Sequence, residues 1–297
     1  MLSLHTNHAA LDAQNSLTRT QQALSSSMTR LSTGYRINSA MDDAAGLQIA
    51  SRLKSQASGM AVAMRNTQAS TSLLQVAEGA MNEVNDVLVR MKDLATQSAD
   101  ASSTADDKSA MQSEYDALAR EIGNIVSNTT FAGKNVFNIS VPGPARGIFM
   151  DPAQFQIGAS ASETMSMDLF PEINAMNTAF IPVSAKYTGN SLIIPGVGTE
   201  LTAAGSANLR IGDLNDAIDA VSAIRSKLGA TANRLEHVYN NLSNVSTNTK
   251  AAAGVVMDVD FATESASMTA NQMLMQAGTA MLKQSNSMSS MVMSLLQ

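Results

Sequence analysis

Apolar residues recur at seven-residue intervals along much of this chain. Leu74, Met81, Leu88 and Ala95 mark one heptad position, and Ala77, Val84, Met91 and Ser98 interleave between them at steps of three and four. That spacing predicts a coiled-coil seam on a helix running from Asp42 to about Ser98. No proline occurs between Met1 and Val141, and an uninterrupted helix of that length would reach roughly 80 Å. Such a rod needs long partners. Met111, Tyr115, Leu118, Ile122 and Ile125 outline one, after a turn containing Ser102, Ser103, Thr104, Asp106 and Asp107 that can cap a new helix. Leu214, Val221, Leu228, Leu235 and Leu242 outline the other, with Ile218, Ala232 and Tyr239 in its second seam position. Three helices with complementary stripes bury one another as an elongated bundle.

The two ends mirror each other. Ala10, Leu17, Leu24 and Leu31 keep a heptad step near the start. Leu274, Met281, Met288 and Leu295 keep one near the end, with Met268, Met275, Leu282 and Leu296 beside it. Both stripes sit in a background of Ser, Thr, Asn and Gln, which are mediocre helix formers. Alone, these segments are expected to be marginal helices that pair with each other and with copies from other molecules.

The middle differs in kind. All six prolines lie between residues 142 and 195, and five of the seven phenylalanines lie between Phe137 and Phe180. Alternation at Phe155–Gly158, Met165–Leu169 and Ser191–Ile194 predicts short strands and hairpins. The expected fold is therefore mainly α: an elongated coiled-coil bundle with paired terminal helices and a small β-hairpin region in the middle of the chain. Residues 1–41 form an N-terminal helix and joint, 42–256 a rod-like domain with its β-rich segment at about 137–205, and 257–297 a C-terminal helix.

Composition narrows the function. Formal net charge is -6 over 297 residues, with no basic stripe for nucleic acid. Cysteine is absent, which removes thiol catalysis and Cys-ligated metals. The 20 methionines and the lack of tryptophan make the apolar faces soft and pliable. No 18-residue apolar span occurs, so membrane insertion is not expected, and the N-terminus shows no cleavable secretory leader. His5 and His8 lack a nearby carboxylate for a metal site, His237 lacks an acid/base partner, and the adjacent Asp42 and Asp43 diverge by about 100° on a helix. With no glycine-rich phosphate loop and no HExxH motif, no enzyme activity or cofactor is called for. The four Asn-X-Ser/Thr matches are what chance supplies in a chain rich in Asn and Ser.

The joint between the first two helices reads RLSTGYRINSAMDDAAGL from Arg30 to Leu47. Gly34 and Asn38 can adopt turn conformations, Asp42 and Asp43 sit where carboxylates favour a helix start, and Gly46 allows close backbone approach. This stretch closely resembles the N-terminal signature of bacterial flagellin. The resemblance continues through Ser70–Ala80, Thr130–Asn135, Phe155–Gly158, Leu228–Gly229, Asn233–Leu235, Asn240–Asn244, Asp260–Glu264, Gln276–Thr279 and the terminal Leu295–Leu296.

It implies a secreted, self-polymerising subunit of the filament that a rotary motor turns, exported by the flagellar type III system and met there by export chaperone, cap and junction proteins. A hook-filament junction protein shares the terminal signatures and is the nearest alternative; a secreted coiled-coil translocator would need a strongly apolar segment. By the same resemblance, Arg90, Leu94 and Glu114 match positions contacted by an animal innate immune receptor. Residues 29–50 resemble a peptide read by a plant receptor kinase, with departures at Tyr35 and Met41. The filament-core residues implied are Leu17, Leu24, Leu31, Leu274, Met281, Met288, Leu295 and Leu296. The inter-domain joint comprises Gly34, Asn38, Asp42, Asp43 and Gly46.

Overall fold

A computed structural model describes residues 7–138, 146–184, 187, 198–203 and 205–295, with side chains up to residue 288. The expected strand at Ser191–Ile194, Leu296 and the side chain of Leu295 lie outside the described residues. In chain order the elements are α1 (His8–Thr33), α2 (Ala44–Ala99), α3 (Ala105–Asn128), β1 (Thr130–Phe131), β2 (Lys134–Asn135), a 3-10 turn at Ile148–Met150, β3 (Ala153–Gln156), β4 (Thr164–Met167), α4 (Phe170–Val183), α5 (Ser206–Met257) and α6 (Phe261–Leu295). The mainly helical fold class holds, with helices at both ends and two small hairpins in the middle.

The chain divides into two compact units, residues 1–57 with 247–297, and residues 58–246. The divisions fall inside α2 and α5. The first turns of α2 and the last of α5 belong with the terminal helices, where Ala50, Ala57 and Thr249 are buried.

The second unit holds the packed core. All eight predicted seam residues of α2, from Leu74 to Ser98, are 0–1% exposed. Leu214, Val221, Leu228 and Leu235 of α5 are fully buried, but the alternate position is filled by Ala217, Ile224 and Thr231. Ile218 and Ala232 only flank the core, Leu242 is half-buried and Tyr239 is 40% exposed. The expected second seam position on α5 was thus one residue too far along. On α3 the inward face is Met111, Tyr115, Ala119, Ile122 and Val126, with Leu118 and Ile125 at its flank. Its start is fixed by a capping box in which Thr104 Oγ1 accepts from the Asp107 amide and the Asp107 carboxylate accepts from the Thr104 amide.

Among its described residues the middle holds two short hairpins and a helix. β1 and β2 are joined by Ala132 and Gly133, both at positive φ, the requirement of a tight two-residue hairpin turn. β3 pairs antiparallel with β4 in the register Phe155 to Met165, and both side chains point into the core. The largest element there is α4, which proline density disguised: Pro171 opens the helix, Pro182 sits at its far end, and Ile173, Met176 and Phe180 are buried at helical spacing. Lys227 Nζ on α5 lies 2.6 Å from Glu172 Oε1 on α4.

A buried polar cluster secures the entry to α5. Gln112 Nε2 donates to Asp116 Oδ1 at 2.9 Å and to Glu200 Oε2 at 2.7 Å. Gln112 Oε1 accepts from the Leu201 amide, and Asp116 Oδ2 accepts from the Gly198 amide. The inward Ser98 of the α2 seam donates to the Leu201 carbonyl. Tyr115 donates to the Val183 carbonyl at 2.7 Å; burial first, then the nearby Glu200, pushes its hydroxyl well above the ordinary tyrosine range.

Candidate assembly surface and the turn at Gly34

In the first unit α1 and α6 run antiparallel. Asn7, which caps α1 by accepting from the Ala10 amide, also donates to Ser285; Leu17 lies against Gly278; Arg30 Nη1 sits 3.7 Å from Glu264. A Cβ at Gly278 would come within 3.2 Å of Leu17 Cδ1, so that glycine sets how closely the helices approach. Half-buried positions on α1 include Leu17, Leu24 and Leu31; on α6 they are Met268, Met275 and Leu282, with Asn271, Gly278 and Ser285 interleaved.

The other predicted stripe of α6 is not used in this pairing. Leu274 is 59% exposed, Met281 66% and Met288 59%, and Met273 beside them is 60% exposed. Leu11 and Met28 are exposed on α1, whose only buried residue is Ser27. Terminal pairing therefore buries no apolar side chain of α1 completely, in contrast to the core of the second unit. A contiguous apolar stripe on a helix with no partner is a surface that calls for one.

The turn between α1 and α2 is held from both sides. Gly34 caps α1 at φ 75, a left-handed conformation that disfavours a side chain, and its amide donates to the Arg30 carbonyl. The Gly34 carbonyl accepts from the Val259 amide, and the Arg36 amide donates to the Met257 carbonyl, so residues 34–36 zip against 257–259. Asn38 donates to the Tyr35 carbonyl. Asp43 is the carboxylate at the start of α2, accepting from the Gly46 amide at 2.8 Å. Asp42 is not. Its Oδ2 turns back to accept from the amides of Asn38 and Ser39 and from the Ser39 hydroxyl, because an adjacent residue cannot share the same cap geometry. A Cβ at Gly46 would lie 2.7 Å from Ile37 Cδ1 and 2.4 Å from Asp43 Oδ2, so a side chain here would have to displace the buried Ile37 and the capping carboxylate.

Those hydrogen bonds set a pH response. The Ser39 and then the Asn38 amide hold Asp42 below its usual 3.8, and the Thr263 hydroxyl, then the Ala262 and Thr263 amides, do the same for Asp260 at the start of α6. Both carboxylates are less easily protonated folded than unfolded. Their stabilisation is present above about pH 4 and is lost as pH falls through the lower folded values. In an NMR titration the amides of Ser39 and Ala262 should shift with midpoints below 3.8; midpoints at or above that value would contradict the hydrogen-bond account.

In the second unit, Arg90 and Glu114 form a two-pronged ion pair between α2 and α3, with Nε and Nη2 at 2.9 and 2.7 Å from Oε1. Both remain accessible, at 56% and 46% side-chain exposure. Leu94 is 2% exposed and packs in the core, so only the two charged members of the trio present surface to a partner. His237 and Arg234 line an open groove of about 360 Å³ beside β4, together with Ile157, Thr164, Met165, Ser166 and Val238 and no carboxylate. Among the described residues no three metal-ligating side chains converge, and no helix is long and apolar enough to cross a membrane.

A packed helical core and an uncovered apolar helix face are the features of a helical protein that assembles through its terminal helices. Two family patterns match the chain: the bacterial flagellin N-terminal helical region over residues 4–141 and the C-terminal helical region over 211–296. The chain is 32% identical to flagellin A of Vibrio cholerae over 386 aligned positions covering 100% of both chains. It is 36% identical to the flagellin of Halalkalibacterium halodurans over 271 positions, 91% of this chain and 90% of that one. A solved structure from Vibrio parahaemolyticus, described as a flagellar hook-associated protein, shares the fold at a TM-score of 0.54 and 15% identity, over 73% of this chain and 99% of that one. The chain belongs to the bacterial flagellin family. It is a non-enzymatic subunit of the extracellular flagellar filament.

Proposed function

We propose that α1 and α6 drive polymerisation, and that their full ordering is coupled to addition of a subunit at the growing tip. The observation that carries this is the uncovered stripe of Leu274, Met281 and Met288 on a helix whose other face already pairs with α1. Leu17, Leu24 and Leu31 hold the intramolecular pair, and the α6 stripe meets other copies. Marginal terminal helices keep the monomer soluble until neighbours supply the missing burial. Gly34, Asn38, Asp42, Asp43 and Gly46 act as the joint that carries the chain from α1 into α2 within the first unit. Family membership supports export in unfolded form by the flagellar type III system, with a chaperone, a cap and junction proteins as partners.

Arg90 and Glu114 are the accessible candidates for contact with an animal innate immune receptor, with Leu94 fixing α2 beneath them. Filament contact is the prior reason for the pair, since assembly is the subunit's own function. Full-length protein brought to high sulfate should yield pelletable filaments in negative stain, while residues 45–256 remain soluble and folded. Filaments from the truncated chain, or none from the full chain, would contradict this reading.

A further inference from the structure

Methionine is partitioned between the two units. Between residues 58 and 246 every methionine is buried except Met64, which is half-buried. In the terminal unit no methionine with a described side chain is buried: Met28 is 57% exposed, Met41 97%, Met273 60%, Met281 66% and Met288 59%. With no cysteine and no tryptophan in the chain, these thioethers are its most oxidisable accessible groups. Four of the five exposed ones lie on α1 and α6.

We propose that Met273, Met281 and Met288, with Met28, are sulfoxidation sites that switch the subunit between assembly-competent and assembly-incompetent forms. This rests on the reading that other copies cover the exposed faces of α1 and α6 in the filament. The oxidant is hydrogen peroxide or another two-electron peroxide. A sulfur lone pair attacks the terminal O–H oxygen of the peroxide, the S–O bond forms as the O–O bond breaks, the thioether loses two electrons, and the attacked oxygen's proton passes to the leaving oxygen, which departs as water from hydrogen peroxide or as an alcohol or acid from an organic peroxide.

A soft apolar side chain thereby gains a strong polar acceptor. In the monomer the new oxygen is hydrated, because these sulfurs already face solvent, so the fold is unchanged. In a helix seam it is desolvated without a donor, so association is penalised. The buried methionines of the second unit are shielded, which confines the switch to assembly. Subunits already in a filament should resist oxidation at the same four positions.

The test uses purified full-length monomer, treated with dilute peroxide that is then removed by catalase. Peptide mass spectrometry should find one added oxygen at Met28, Met273, Met281 and Met288, and none at Met81 or Met91. In sulfate-induced pelleting the critical concentration should rise by at least about tenfold, and methionine sulfoxide reductases of both epimer specificities should restore it. A chain carrying Met28→Leu, Met273→Leu, Met281→Leu and Met288→Leu should keep its untreated critical concentration after peroxide.

Unchanged assembly of monomer oxidised at all four positions overturns the proposal, as does failure of reductase repair or a leucine variant as sensitive as the parent. If the leucine variant does not assemble at all, the reductase repair decides. Absence of filaments from untreated chain overturns the assembly reading itself, and this proposal with it.

Discussion

Glutamate in place of Leu274, Met281 and Met288 abolishes filament formation while leaving the monomer's melting curve unchanged. All three side chains are mostly exposed and lie off the face of α6 that meets α1. Exposed substitutions of this kind usually shift stability by no more than about 0.5 kcal/mol. In the polymer three carboxylates per subunit would be desolvated against apolar neighbours, which costs several kcal/mol for each charge left unpaired. Glutamate at Met275 and Leu282 behaves differently. Those residues are half-buried toward α1, so their replacement loosens the terminal pair in the monomer as well. Circular-dichroism melts beside sulfate-induced pelleting separate the two outcomes. Filaments from the Leu274→Glu, Met281→Glu, Met288→Glu chain at the parent's critical concentration would show that this stripe is not an assembly surface.

Truncating Leu88 or Leu228 to alanine unfolds the second unit at markedly lower urea. Both residues are 0% exposed at seam positions of α2 and α5. Leu→Ala at such sites costs about 2–5 kcal/mol, the sum of lost transfer energy and the cavity left behind. Domains are stable by only about 5–15 kcal/mol in total. The same change at Leu274, on the exposed stripe, should alter the urea midpoint little. A loss under about 1 kcal/mol at Leu88 would mean that the seam relaxes around the gap and is not the rigid core inferred from its burial.

The long helices were legible because the heptad is a strong local signal with a single structural meaning. Every seam residue of α2 is buried where the repeat put it. On α5 one strand of the seam was readable and the other was not, since Ile218 and Ala217, or Ala232 and Thr231, differ by one position and both candidates are compatible with helix. Hydrophobicity favoured Ile218; in the packed core Ala217 is the fully buried residue and Ile218 flanks it. Helix α4 was missed because prolines were read as breakers, although Pro171 sits in the first turn, where helices tolerate it, and Pro182 falls only in the last. Its Ile173, Met176 and Phe180 spacing was the available signal.

Two features of the assembly unit were beyond sequence reasoning for a different cause. The stripes Leu274/Met281/Met288 and Met268/Met275/Leu282 are equally apolar, so periodicity alone cannot decide which one α1 covers. Gly278 opposite Leu17 and Asn7 opposite Ser285 decide it, through contacts more than two hundred residues apart in the chain. Likewise, Asp42 and Asp43 look interchangeable as helix caps until the backbone direction shows one facing the Gly46 amide and the other facing back toward Ser39.

Hydrogen exchange of the same chain as soluble monomer and as filament tests the central claim most directly. Coupled ordering and assembly predict that amides of α1 and α6 exchange readily in the monomer and become strongly protected in the filament, while those of α2 and α5 around Leu88 and Leu228 are protected in both. Equal protection of α1 and α6 in the two states would contradict the account, because the terminal helices would then owe their order to the monomer alone.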